Sequence, residues 1–503
     1  MKLSVVGEVC LVLLVSVLSV SPALANGPDN PVYGGSLSIA LPAELPGLDP
    51  TTNTAAVIDR VMYNNVYQGL VRVNRNGEVS PCLAKSWEVS EDGRTYTFYL
   101  REGVTFHNGD PFTSSDVVYS LDRVRDDDLP VPHPEYYRVI KSVSPSGPHA
   151  VDVHLREASS IFLFNLARGD SVILSEDVKD PSSDPVGTGP FRFFAWQEGQ
   201  SVRLVRFEDY YEDGLPYLEA VTFEFIADVN TQITALRSGD IDAIAYLNSP
   251  ENALTLKSDP DLKVLEGVTT WEVILAMNNS VEPMDDLLVR QAVNYGINRS
   301  EVIEGVTFGF GEPIGSLMSP TNPNYLDLSW VYPYDPERSK QLLAEAGFPD
   351  GFSATLTLPS NYTLSVRSGE IIAEQLQEVG IDLRVQKIGW GQWLQKVFSN
   401  AEYEMTIIGH AEAFDISIYT NPDYYFKYDN KRFAEIIERA ESEVDRTKRR
   451  GLYAIAQWIL AEDVPSAFLF SAPSLPALSK SVHNWWSDYP IPVVDVTRVW
   501  KEG

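Results

Sequence analysis

Tyr96, Phe98 and Leu100 alternate with Thr97, Tyr99 and Arg101, a period of two that predicts a strand with one apolar face. Just beyond it, Asn108-Gly109-Asp110-Pro111 joins residues that tolerate positive φ to one whose φ is fixed, so the chain turns. A helix follows at once. Thr113 or Ser114 offers an oxygen to the first free amides, Asp116 sits at the positive helix end, and Val117, Val118 and Leu121 form the inward stripe.

Strand and helix signals alternate along the rest of the chain. Gly34 to Ala40 opens as a strand, Ile58 to Tyr67 has helical spacing, and Val71 to Val73 with Asn74 to Gly77 reads as a short hairpin arm. Trp87 to Val89, Ala150 to Leu155 and Phe191 to Phe194 are further strands. Asp228 to Asp240 predicts a helix capped near Asn230 and stopped at Gly239, after which Ile241 to Ala243 returns to the sheet. The unbroken run Val273 to Met277 suits a strand buried on both faces. Then come helices at Met284 to Asn298, Pro336 to Ala346, Ser365 to Val379, Phe433 to Val444 and Arg449 to Ala461, with a strand at Ile381 to Ile388. Such alternation argues for an α/β fold. Pro185 to Pro190 lacks the lysine of a phosphate-binding loop and reads as a structural turn.

With 503 residues and 44% apolar content the chain can bury a large core, yet single cores stop growing near roughly 250 to 300 residues. Two lobes are expected. Residues 1 to 25 begin with Lys2, run through the apolar Val9 to Val20 and end Ala23-Leu24-Ala25, the pattern of a signal peptide cleaved after Ala25. Removing them deletes Lys2 and Glu8, which cancel, so the remainder keeps the formal charge of −31. Nucleic acid and anionic membranes are disfavoured partners. Cys82 is then the one thiol left, which excludes an internal disulfide and a cysteine-rich metal site. Neither HExxH nor GxSxG occurs, and the six histidines are scattered. No cofactor is expected.

The stretch REGVTFHNGDPFTSSDVVYSLDRV resembles the signature of the extracytoplasmic solute-binding proteins of peptide, nickel and opine ABC importers, family 5. The segments PVGTGPFRF, ALRSGDIDA, VRQAVNYGINRSEVI and EQLQEVGIDLRV follow in the family's order. The resemblance implies a two-lobed periplasmic binding protein fold of type II with an extra subdomain in the first lobe. It places lobe I at residues 26 to 270 and 472 to 503, the subdomain at about 68 to 180, and lobe II at 271 to 471. It also implies a monomer that captures a solute between the lobes and delivers it to permease subunits in the inner membrane.

Peptide-binding members carry an acidic loop after the strand matching Glu404 to Ile408, and its aspartate holds the ligand's ammonium group. Asp415 matches that position, with His410 and Glu412 beside it. The loop departs from the family pattern in Glu412 and Ile416-Ser417-Ile418. The arginine that holds a dipeptide's carboxylate is also missing, since Leu358 to Tyr362 stands there. A peptide or peptide-like solute is the leading expectation, and an oligosaccharide or an opine stays open. Trp390, Trp393 and Trp271 are expected at the cleft, where tryptophan offers stacking area, with core packing the alternative for each. His410 could ligate a metal chelate, but a lone histidine beside a strand end is more often structural. From another class, a secreted glycoside hydrolase could hide two carboxylates far apart in the sequence.

Overall fold

The strand, turn and helix around residue 108 form as their pattern predicts in the computed structural model, which describes residues 31–178 and 180–503. Signal segment 1 to 25 and its cleavage point lie outside the described residues. Strand Thr95–Leu100 buries Tyr96, Phe98 and Leu100. Helix Ser114–Arg123 starts from a capping box in which Thr113 Oγ1 accepts from Ser115 N at 3.3 Å and Asp116 Oδ2 accepts from Thr113 N at 2.9 Å. The strand belongs to a four-stranded antiparallel sheet in the order Ala84–Val89, Thr95–Leu100, Ala150–Leu155, Ile140–Gly147.

Two larger sheets carry the lobes. The first has seven strands around Ser36–Leu41, which runs parallel to both Ala220–Phe225 and Ala243–Ile244. The second has six, in the order Glu312–Pro313, Ser466–Ser474, Gly267–Met277, Met405–His410, Phe352–Pro359, Ile381–Ile388. The chain leaves the first sheet through Gly267–Met277 and returns after Ser466–Ser474, and these two strands pair antiparallel. Both connections between lobes therefore lie side by side, the arrangement a hinge needs.

The apolar run inside Gly267–Met277 is buried on both faces. Val273, Leu275 and Met277 pack with the helices Leu287–Tyr295, Arg299–Thr307, Pro336–Glu345 and Thr363–Glu378. Ile274 and Ala276 face the other way, toward Trp393, Tyr419, Tyr425 and the helices Lys431–Ser442 and Arg446–Asp463. Two expectations change. The helix expected from Met284 to Asn298 is Leu287–Tyr295, because Asp286 caps it, and Asn298 instead caps a second helix, Arg299–Thr307. The helix near 230 is capped by Asp228, whose Oδ1 accepts from Thr231 N at 2.8 Å, not by Asn230. A Cβ on Gly187 would come within 1.9 Å of the Val66 carbonyl oxygen and one on Gly189 within 2.4 Å of the Asn65 carbonyl oxygen, so that turn is a packing device. Among the described residues no helix is long and apolar enough to cross a membrane.

Candidate functional site

The paired crossover strands lose register between Val268 and Glu272. Alternation then sends neighbouring side chains to opposite faces. Trp271 lies over Gly409, where a Cβ would come within 1.4 Å of its indole Nε1, and it stays 38% exposed. Glu272 points to the other face, opposite His410 on one neighbour strand and Ser471 on the other.

Glu272 is 1% exposed, and neither carboxyl oxygen has a hydrogen-bond partner among the described residues. The Ser319 amide approaches without closing a bond. Burial first, and the negative charge of Asp415 second, push this carboxyl well above its ordinary range. It is a buried acid at the hinge whose protonated form the surroundings favour.

Asp415 begins a short 3-10 segment, Asp415–Thr420, in the loop after Met405–His410. Its Oδ2 accepts from Glu412 N at 3.2 Å and stands 3.5 Å from His410 Nδ1, with the side chain 16% exposed. The other ring nitrogen, His410 Nε2, lies 3.0 Å from the Tyr425 hydroxyl, so Tyr425 fixes the imidazole that faces Asp415. Asp415, Glu272 and His410 thus form one cluster at the end of the second sheet. Its carboxyls outnumber its bases, which suits an incoming cation.

Glu412 is engaged from the first lobe. Arg168 Nη1 meets Glu412 Oε2 at 2.8 Å, and the guanidinium lies 4.9 Å from the centroid of the Tyr136 ring and 3.7 Å from Asp170. Burial would lower the basicity of Arg168, but the charges of Glu412 and Asp170 outweigh it and raise it. Two residues on, Phe414 meets Phe164 edge to face at 5.2 Å. The acidic loop therefore touches the first lobe directly.

Beside that contact lies a cavity of about 210 Å³, walled by Trp87, Phe164 and Phe414 and edged by Arg446, Arg449 and Arg450 from the first turn of Arg446–Asp463. Arg446 pairs with Glu78 across the cavity. Sequence reasoning missed Arg168, Glu272 and these arginines. A basic run, Arg446 to Arg450, in so acidic a chain was the available signal for the last group.

The tryptophans separate. Trp393 is 2% exposed, and its Nε1 donates to Thr406 Oγ1 at 2.9 Å. Packed against Tyr425 as well, it belongs to the core and offers no face to a solute. Trp390 stacks on it at 5.0 Å and is only partly buried, touching Tyr362 on its other side. Trp271 lies on the opposite face of the sheet from the acidic cluster. His410 is bound into that cluster, and among the described residues no group of three or more His, Cys, Asp or Glu side chains is arranged to hold a metal.

The model of the bacterial extracellular solute-binding proteins, family 5, matches residues 78–432. The glutathione-binding protein GsiB of Escherichia coli K12 is 28% identical over 472 residues, 89% of this chain and 91% of that protein. Among solved structures, the periplasmic binding protein DppA of Helicobacter pylori, in complex with the peptide STSA, superposes with a TM-score of 0.72 at 27% identity. That match covers 94% of this chain and 99% of DppA. The PBP AgaA of A. tumefacien R10, in complex with agropinic acid, matches with a TM-score of 0.72 at 26% identity over 93% of this chain and 99% of its own.

Proposed function

The chain belongs to the bacterial extracellular solute-binding proteins, family 5, and on that premise we propose that it captures a peptide or peptide-like solute in the periplasm for an ABC importer. Lobe I comprises residues 26 to 270 and 472 to 503, and lobe II residues 271 to 471, in a monomer exported by cleavage after Ala25. The solute closes the lobes and is handed to the permease. No bond is made or broken, so the protein is not an enzyme.

The observation that carries this reading is the acidic cluster of Asp415 and Glu272, faced by the single imidazole of His410, at the hinge end of the second sheet. An α-ammonium group fits there as a charge-assisted donor to Asp415. The partly buried Trp390, packed on the same face of the sheet as the cluster, supplies an apolar wall for side chains. Glu412 contributes by setting the Asp415 carboxylate through its backbone amide.

Calorimetric titration of the mature protein with glutathione and with the peptide Ser-Thr-Ser-Ala tests the reading. Both carry a free ammonium, and at least one should bind. Asp415→Ala should weaken that binding by about 2 kcal/mol or more, the loss expected when a desolvated charge pair is broken. Unchanged affinity in the variant would remove Asp415 from the site.

A further inference from the structure

Glu272 has no counterpart in the sequence-based reading, and nothing in its surroundings explains it as a structural acid. A buried carboxyl normally has a base or several donors to justify the burial. Here the strand neighbours His410 and Ser471 leave both oxygens free, and Ser471 spends its hydroxyl on the Thr269 carbonyl at 2.7 Å. Ser319 does the same at 2.8 Å.

The titratable groups around Glu272 are few. From the loop after Met405–His410 come Asp415 and Tyr419, and from the strand itself His410. Tyr419 donates to Ser466 Oγ at 2.7 Å and stays neutral, its phenol pushed up first by burial. From Ser466–Ser474 and the segment before residue 320, Ser471 and Ser319 approach it, and neither titrates. Among the described residues, the negative charge acting on Glu272 is that of Asp415.

Resting on the solute reading above, we propose that Glu272 is a second acid of the solute site, lying across from His410, which faces Asp415, and giving up a proton to solvent when the solute's cationic head arrives. The head neutralises Asp415, the second of the two causes that oppose ionisation of Glu272, and its own positive charge works against the first, burial. The proton passes to bulk water, and no other bond changes. Binding is then linked to proton release, and affinity rises with pH, toward a limit of about tenfold per unit for one whole proton. Glu272 also makes the hinge strand a sensor of the solute's charge, because its ionised form appears only in the loaded site. Solutes that lack a cation leave it protonated.

Two measurements test this. Infrared difference spectra of the unloaded mature protein against Glu272→Gln, at pH 7, should show the carbonyl band of a protonated carboxyl in the wild type alone. Absence of that band overturns the proposal whether or not any solute binds. Calorimetry with glutathione and Ser-Thr-Ser-Ala near pH 6.5, in two buffers of different ionisation enthalpy, should then give buffer-dependent heats for the wild type. Heats independent of the buffer should mark Glu272→Gln, at whatever affinity it keeps. Equal heats in both buffers for the wild type, or the same release from Glu272→Gln, overturn the proposal, the latter moving the proton to another group. Failure of both peptides to bind the wild type, with the band present, refutes the solute reading and the linkage that rests on it.

Discussion

Replacing Glu412 by Gln should loosen the contact between the acidic loop and the first lobe. The carboxylate meets Arg168 at 2.8 Å, but its side chain is 42% exposed while that of Arg168 is 20% exposed. Water screens such a pair, so its coupling belongs near the upper end of the exposed range, about 1 kcal/mol, and not at the several kcal/mol of a dry ion pair. About 1 kcal/mol corresponds to roughly a fivefold shift in the ratio of closed to open molecules if the pair forms only in the closed form. Arg168→Gln should cost more in overall stability, because it strips the cation from Asp170, whose side chain is 5% exposed. Single-molecule fluorescence transfer between dyes on the two lobes reads the ratio directly. Glu412→Gln should shift the unloaded protein toward the open form about fivefold, and adding Glu412→Gln to Arg168→Gln should shift it little further. Additive effects in the double variant would refute the pair as a clasp.

Glu272→Gln should alter the pH dependence of stability. In the folded chain this carboxyl is raised above the ordinary value of 4.5, so the folded form keeps a proton that the unfolded chain gives up. The stability it confers is full below the unfolded value and is lost as pH rises toward the folded one. The variant should therefore gain on the wild type in urea denaturation as pH increases from 4.5, and a difference constant with pH would contradict this. Trp393→Ala should cost about 3 to 5 kcal/mol of stability by the same assay, as expected for a core aromatic; a loss below about 1 kcal/mol would place it outside the core. Gly409→Ala should displace the Trp271 indole from its seat, costing about 1 to 3 kcal/mol and shifting tryptophan emission. An unchanged spectrum would refute that packing.

Local signals gave the sequence its clearest reading. The Tyr96 to Leu100 alternation, the Thr113 and Asp116 cap and the Val273 to Met277 run each carry their structural cause within a few residues. Helix ends were less legible where two capping residues compete, as Asp286 and Asn298 do. The acidic loop was found through its resemblance to the loop that follows this strand in the family, but Arg168 lies 244 residues from Glu412 and no local pattern links them. Glu272 was hidden for a related reason. Just ahead of the apolar run Val273 to Met277 a single glutamate reads as its polar border, and its meaning depends on His410 and Asp415 being brought to the same face. Trp393 and Trp271 look alike in sequence, and only sheet geometry buries one and exposes the other.

The central claim is that a cationic head is held at Asp415. Comparing the calorimetric affinity of Ser-Thr-Ser-Ala with that of its N-acetylated form tests it most directly, because acetylation removes the charge and leaves the rest of the peptide intact. The account predicts binding of the free peptide and a loss of at least about thirtyfold on acetylation, the equivalent of about 2 kcal/mol. Equal affinity for the two forms would contradict it.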